Sequence, residues 1–253
     1  MLYFLFASET GYYLNHLGVV GYFWLKDNAL VFPIMLSLLA ISAFVAYLLG
    51  SVNTAVIVSK LFYHDDVREH GSGNAGFTNM MRNYGKKPAI ITFVGDFVKT
   101  ALAMMIGWFL YGYMGAMTAA LFAFLGHIFP IFYKFRGGKG IVCLCATIFM
   151  LDWRLFLILL AIFVVAVLVT QYISFGSVLC AMILPLFVSK MYKIGTPENA
   201  RLRAFAVIIA MLFTIIIVLK HLGNLKRIFN GTESKFSFKK SKKTDAEEES
   251  EEK

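Results

Sequence analysis

Three polar clusters interrupt an otherwise apolar chain, and each is built from groups that bind anions. The first is DVREHGSGNAGFTNMMR, Asp66 to Arg82, set between two long apolar runs. Glycines at 71, 73 and 76 let backbone N–H groups converge on an oxyanion, and Arg68 and Arg82 bring charge. Ser72, Asn74, Thr78 and Asn79 add hydrogen bonds. The second cluster is Arg136-Gly137-Gly138-Lys139-Gly140, also small and basic, with Lys139 able to reach a phosphate. The third runs from Lys220 to Arg227. Its His221, Asn224 and Arg227 recur every third residue and so share roughly one helical face. Arg68, Arg82, Lys139 and Arg227 as cations, with His221 as a titratable group, suit a ligand carrying more than one phosphate.

Other chemistries fit less well. Gly71, Gly73 and Gly76 match GxGxxG by spacing alone. A dinucleotide fold needs a strand before that motif and a βαβ unit around it. Here a charged turn follows an apolar run. RGGKG lacks the Walker spacing, and the chain holds no HExxH, GxSxG or HxxxxD pattern. Cys143, Cys145 and Cys180 form no CxxC motif and no Cys/His cluster, so neither a disulfide framework nor a metal site is expected. They read as small apolar core residues.

The elements that must position these clusters are membrane spans. The 253 residues are 59% hydrophobic and only 15% charged, against roughly 25% charged in soluble domains. Apolar runs near the length of a bilayer crossing recur from Leu30 to Leu219. Leu30–Gly50 is the first span, with the helix free to run on to Phe62. The others are Ala89–Tyr111, Met114–Phe132, the short Ile141–Leu151, Leu155–Tyr172, Phe175–Met191 and Phe205–Leu219. Asp96 and Lys99 lie inside the second span, three apart, where they can pair. His127 and Pro130 close the third. Residues 1–28 read as an N-terminal interfacial extension with no signal-peptide n-region. Residues 29–235 form the membrane domain, and residues 236–253 a charged, disordered tail.

The fold class is therefore an all-α polytopic membrane protein of about seven transmembrane helices. Its formal charge of +9 suits anionic lipid and anionic substrates. The basic residues are spread over separate loops, which argues against nucleic acid. Loop 60–88, loop 133–140 and the segment from Lys220 carry most of the Lys and Arg. Seven spans put all three on one side, cytoplasmic by the positive-inside rule, with the N-terminus outside and the C-terminus cytoplasmic. Loop 190–203, with Lys190, Lys193, Arg201 and Arg203, runs against this count. On this topology the three clusters meet at one depth.

In order and spacing, DVREHGSGNAGFTNMMR, GHIFPIFYKFRGGKG and KHLGNLKRIFNGTE resemble the three signature motifs of the bacterial acyl-phosphate:glycerol-3-phosphate acyltransferases, the PlsY type. Gly50-Ser51 and Asp96-Phe97-Val98-Lys99 also fit, and the resemblance covers about residues 45–235. Two departures are visible. Ala75 stands where the family commonly has proline, and Thr100 follows Lys99 where it often has glycine.

The resemblance implies a bacterial inner-membrane enzyme, active at the cytoplasmic face, that moves a fatty acyl group from acyl phosphate to the sn-1 hydroxyl of glycerol 3-phosphate. The products would be lysophosphatidate and phosphate, with no cofactor, no metal and no acyl-enzyme. A functional link to the enzyme that makes acyl phosphate would follow. Acyl-phosphate binding falls to Ser72, Gly73, Asn74, Arg82, Gly137, Gly138, Lys139 and Gly140. Glycerol 3-phosphate falls to Arg68, His221 and Asn224, and Glu233 is structural. Catalysis falls to His221, Asn224 and Ser72, Ser72 as a hydrogen-bond donor rather than a nucleophile. An acyl phosphate is already activated, so the protein needs to position two phosphates and neutralise the leaving one. A weak base completes the set, either His221 or the substrate's own phosphate. Arg68 has another reading, a surface pair with Asp65, Asp66 or Glu69. The competing functions are an anion or phosphometabolite transporter and an acyltransferase using acyl-CoA or acyl carrier protein.

Overall fold

The computed structural model describes residues 31–191 and 197–236. The expected N-terminal extension, and all of the tail beyond Phe236, lie outside the described residues. Among the described residues the regular structure is helical throughout: α1 (Val31–Ser51), α2 (Thr54–Tyr63), α3 (Phe77–Tyr84), α4 (Lys86–Ile128), α5 (Ile141–Leu151), α6 (Trp153–Thr170), α7 (Ile173–Met191) and α8 (Pro197–Phe229). Short 3₁₀ turns cover Val67–Glu69 and Ile131–Tyr133.

Five helical stretches are long and apolar enough to cross a bilayer. One of them, Lys86–Tyr133, has 48 residues. At ~1.5 Å per residue it would be more than twice as long as the hydrocarbon core is thick. It is folded instead. Tyr111 (φ −146°, ψ 43°) and Gly112 (φ 51°, ψ −141°) leave helical geometry and split α4 into two limbs. Gly112 takes the left-handed conformation that a side chain resists. The limbs pack backbone on backbone just beside the turn: a methyl group on Gly107 would stand 2.3 Å from the Gly115 carbonyl oxygen. With the limbs counted separately the five stretches become six, and the 11-residue α5 makes a seventh apolar helix that at ~1.5 Å per residue is too short to cross a bilayer alone.

The first span differs from the expected unbroken run. The chain is helical to Tyr63, but it breaks at Val52–Asn53, where the Asn53 side chain accepts the Val56 N–H (3.1 Å) and caps α2. The last span is longer than expected, running on through the third polar cluster to Phe229.

α1 lies along α4, and small residues let it come close. A methyl on Gly50 would stand 2.1 Å from the Ala123 carbonyl oxygen, and one on Gly126 2.3 Å from that of Tyr47. The main core joins α4, α5, α6, α7 and α8 around Phe124 and Phe213, whose rings meet edge to face at 4.5 Å. A smaller core of Val56, Val67, Met80 and Ala89 sits beneath the first polar cluster. Large apolar side chains such as Phe109 and Val169 point outward, 70% and 77% exposed, as they do on a lipid-facing surface.

Candidate active site

The first cluster is a loop moulded from inside by one amide. Asn79, buried on α3, accepts the Ser72 N–H at 3.0 Å and the Asn83 side chain at 3.1 Å through Oδ1. Its Nδ2 donates to the carbonyls of Val67 (2.9 Å) and His70 (3.0 Å). Asn79 thus shapes the loop rather than facing a ligand. The loop leads into the N-terminus of α3 at Gly76, whose first N–H groups have no intrahelical acceptor and favour an anion. Ser72 and Arg82 are exposed, and Arg82 has no carboxylate partner among the described residues.

Arg68 is placed differently. It grips Asp66 with two parallel bonds, Nε to Oδ1 at 2.8 Å and Nη2 to Oδ2 at 2.6 Å. Its Nη1 donates to the Tyr133 carbonyl (2.9 Å) and the Arg136 carbonyl (3.4 Å). The Arg68 hydrogen bond is the main reason the Asp66 carboxyl is held down at about 2. The surface pair was one of the two readings of Arg68, and this geometry ties the first loop to the second.

The second cluster is packed tightly against its neighbours. The Gly138 N–H donates to the His127 carbonyl at 3.1 Å. A methyl on Gly138 would lie 2.0 Å from His127 Nε2 and 2.8 Å from the Ala75 carbonyl oxygen of the first loop. Gly140, at φ 81°, opens α5 against the Phe124 ring. Lys139, between them, extends its ammonium to Asn224 Oδ1 on α8.

Glu233 fixes the third cluster. The chain turns back after α8, and Glu233 accepts from Asn224 Nδ2 and Ser174 Oγ, both at 2.6 Å on Oε1. Arg227 Nε reaches Oε2 at 2.7 Å. Burial pushes this carboxyl up, but the three hydrogen bonds outweigh it and hold it below the usual glutamate range. Asn224 is thereby fixed with its oxygen toward Lys139. His221 is buried, and its Nδ1 lies 2.8 Å from the Ile217 carbonyl. A carbonyl can only accept, so Nδ1 carries the proton and Nε2 is left with a free lone pair.

The structure thus joins the second and third clusters through Lys139 and Asn224, and the first and second through Ala75 and Gly138. Arg82 acts on Lys139 by charge. Burial chiefly, with help from Arg227, Arg82 and Lys220 and against Glu233, brings the Lys139 ammonium down to about 8. A lysine below its ordinary value loses its charge as pH rises through that lower value. Any activity that needs this charge should therefore fall above pH ~8. In Lys139→Arg, whose charge does not titrate in this range, that limb should disappear. A pH profile of both proteins checks this.

Sequence reading did not find Ser174, which no motif marks. Asn53 was also missed, although Ser-Val-Asn-Thr inside an apolar run is a helix-capping signal. No group of three or more His, Cys, Asp or Glu able to hold a metal ion exists among the described residues.

Comparison with known proteins gives a consistent set. A family model described as glycerol-3-phosphate acyltransferase matches residues 40–231. A glycerol-3-phosphate acyltransferase of Finegoldia magna is 38% identical over 201 residues, 78% of this chain and 96% of that protein. One from Francisella tularensis subsp. mediasiatica is 39% identical over 203 residues, 79% and 94% of the two chains. Among solved structures, the integral membrane glycerol 3-phosphate acyltransferase PlsY (YgiH) in its glycerol 3-phosphate form is similar. Its TM-score is 0.70 at 28% identity, covering 79% of this chain and 96% of that one. Its lysophosphatidic acid form gives 0.68 at 27% identity, covering 79% and 95%.

Proposed function

The chain belongs to the glycerol-3-phosphate acyltransferase family, and from that premise we propose that it takes its acyl group from acyl phosphate. The acceptor is the sn-1 hydroxyl of glycerol 3-phosphate, and the products are lysophosphatidate and inorganic phosphate. The enzyme sits in the bacterial inner membrane with its three clusters at the cytoplasmic face, its N-terminus outside and its C-terminus inside. An enzyme that makes acyl phosphate supplies it.

The observation that carries this reading is the Lys139–Asn224 bond, made between residues 85 apart in sequence. It joins an anion-binding loop to a helix face that holds a weak base. The Ser72–Gly73–Asn74 crest, Arg82, and Gly137 to Gly140 with Lys139 hold the acyl phosphate. His221 and Asn224 hold glycerol 3-phosphate. Arg68 serves this second substrate by holding the loops rather than by touching it. The glycerol hydroxyl oxygen attacks the acyl carbon, and the bond from that carbon to the phosphate oxygen breaks. Phosphate leaves with its charge met by Arg82 and Lys139. The hydroxyl proton goes to His221 Nε2 or to a substrate phosphate.

Two measurements test this. With acyl phosphate, acyl-CoA and acyl carrier protein offered in one detergent assay, acyl phosphate alone should give lysophosphatidate; equal rates from acyl-CoA would remove the donor assignment. His221→Ala should cost ~10²-fold in kcat if the imidazole is the base. A loss confined to KM for glycerol 3-phosphate would leave the proton to the substrate.

A further inference from the structure

Asp96, Lys99 and His127 lie buried within α4, 0%, 7% and 2% exposed, and none of them takes part in the steps above. Asp96 and Lys99 are on the first limb and His127 is near the end of the second. Lys99 Nζ has three polar neighbours: Asp96 Oδ1 at 2.8 Å, the Val52 carbonyl at 2.6 Å and His127 Nδ1 at 3.1 Å. Asp96 Oδ1 also accepts from Thr54 Oγ1 at 3.1 Å. His127 Nδ1 is closer to Lys99 than to Asp96, which is 3.5 Å away. Nδ1 thus lies between the Lys99 side chain and the Asp96 carboxylate, and this edge of the ring is held by both.

The opposite edge of that ring is the wall against which Gly138 packs, and the His127 carbonyl takes the Gly138 N–H. On the other side of the cluster, Val52 and Thr54 flank Asn53, whose Nδ2 donates to the Ala75 carbonyl at 3.4 Å. That same carbonyl borders Gly138. The buried charges therefore touch both phosphate-facing loops, one through His127 and one through the α1–α2 break.

We propose that Asp96, Lys99 and His127 act as positioning residues, setting the register of the two loops so that Lys139 meets the leaving phosphate. The cluster is not in contact with substrate. A charge pair sunk in a membrane domain is costly to keep, and here it holds the ring against which Gly138 of the second loop packs. The proposal rests on Lys139 acting at the acyl phosphate.

A double-mutant cycle in the full-length protein tests it. His127→Leu removes the contact with Lys99 and Asp96 and should lower kcat/KM by ~100-fold, the size of effect that ~1 Å misplacement produces. In a Lys139→Ala background the same change should cost less than ~3-fold, because the loss acts through Lys139. His127→Asn, whose Oδ1 stands where Nδ1 did, should recover to within ~10-fold of wild type. A charge-free pair, Asp96→Asn with Lys99→Met, keeps the bilayer interior neutral and should show the activity loss without loss of fold. Equal costs of His127→Leu in both backgrounds, or wild-type activity in the charge-free pair, would overturn the proposal. Backbone deuterium exchange gives a readout independent of the reaction. It should rise at residues 137–140 in His127→Leu and stay level in the α4 limbs. Raised exchange with activity unlinked to Lys139 would instead count against the functional reading of the loop.

Discussion

Replacing Lys139 with Ala is expected to cost ~10³-fold in kcat/KM for lysophosphatidate formation, while the helices still insert and pack. The ammonium is the charge that two clusters share: it leaves the 136–140 loop and ends on Asn224. On the proposed acyl-phosphate reaction, removing it takes away neutralisation of the departing phosphate, a group whose charge grows as the reaction proceeds. The structural cost is small by comparison. Asn224 loses one charge-assisted hydrogen bond, worth about 2 kcal/mol, and stays fixed by Glu233. Arg82→Ala should also abolish product formation, because Arg82 has no carboxylate to serve among the described residues. Product formation is measured with purified protein whose thermal midpoint has been recorded. Wild-type turnover in both variants would sink the site assignment.

Gly138→Ala should be nearly as damaging, and for a steric reason alone. The added methyl has the His127 ring at 2.0 Å and the Ala75 carbonyl at 2.8 Å. The ring cannot swing away cheaply, since Lys99 holds its other edge. The loop must move instead, taking Lys139 with it. Overpacking of this kind costs roughly 1–3 kcal/mol of stability, and the displaced lysine costs ~100-fold in kcat/KM. The same substitution at Gly85, where nothing lies within 4 Å, meets no such wall. That position has φ 83°, so some backbone strain remains as a control for conformation without collision. A Gly138→Ala protein that turns over normally would show that the loop is less tightly held than its contacts indicate.

Much of this architecture can be read from the chain, for identifiable reasons. Bilayer-length apolar runs mark the spans because lipid imposes length and composition on them directly. The Asp96–Lys99 pair is legible because i,i+3 spacing is a local rule. The span count brought the clusters of Lys139 and Asn224 to one depth, and the two side chains are in contact. What stayed hidden was which polar groups face inward. Asn79 looked like a ligand-binding amide, yet it is the mould of its own loop. Ser174 meets Glu233 across 59 positions, and no local pattern marks that contact. The α1–α2 break was masked by apolar residues on both sides of Asn53, since hydropathy does not register a helix that stops and restarts.

The reversal at Tyr111–Gly112 bears on how the buried charges find one another. Two helical limbs joined by a pair of residues, and interlocked at Gly107 and Gly115, have almost no connecting segment through which to drift apart. The hairpin is a local unit, closed by neighbours in sequence. Lys99 and His127, 28 positions apart, are brought within 3.1 Å by it, so this polar contact needs no distant part of the chain to come to it.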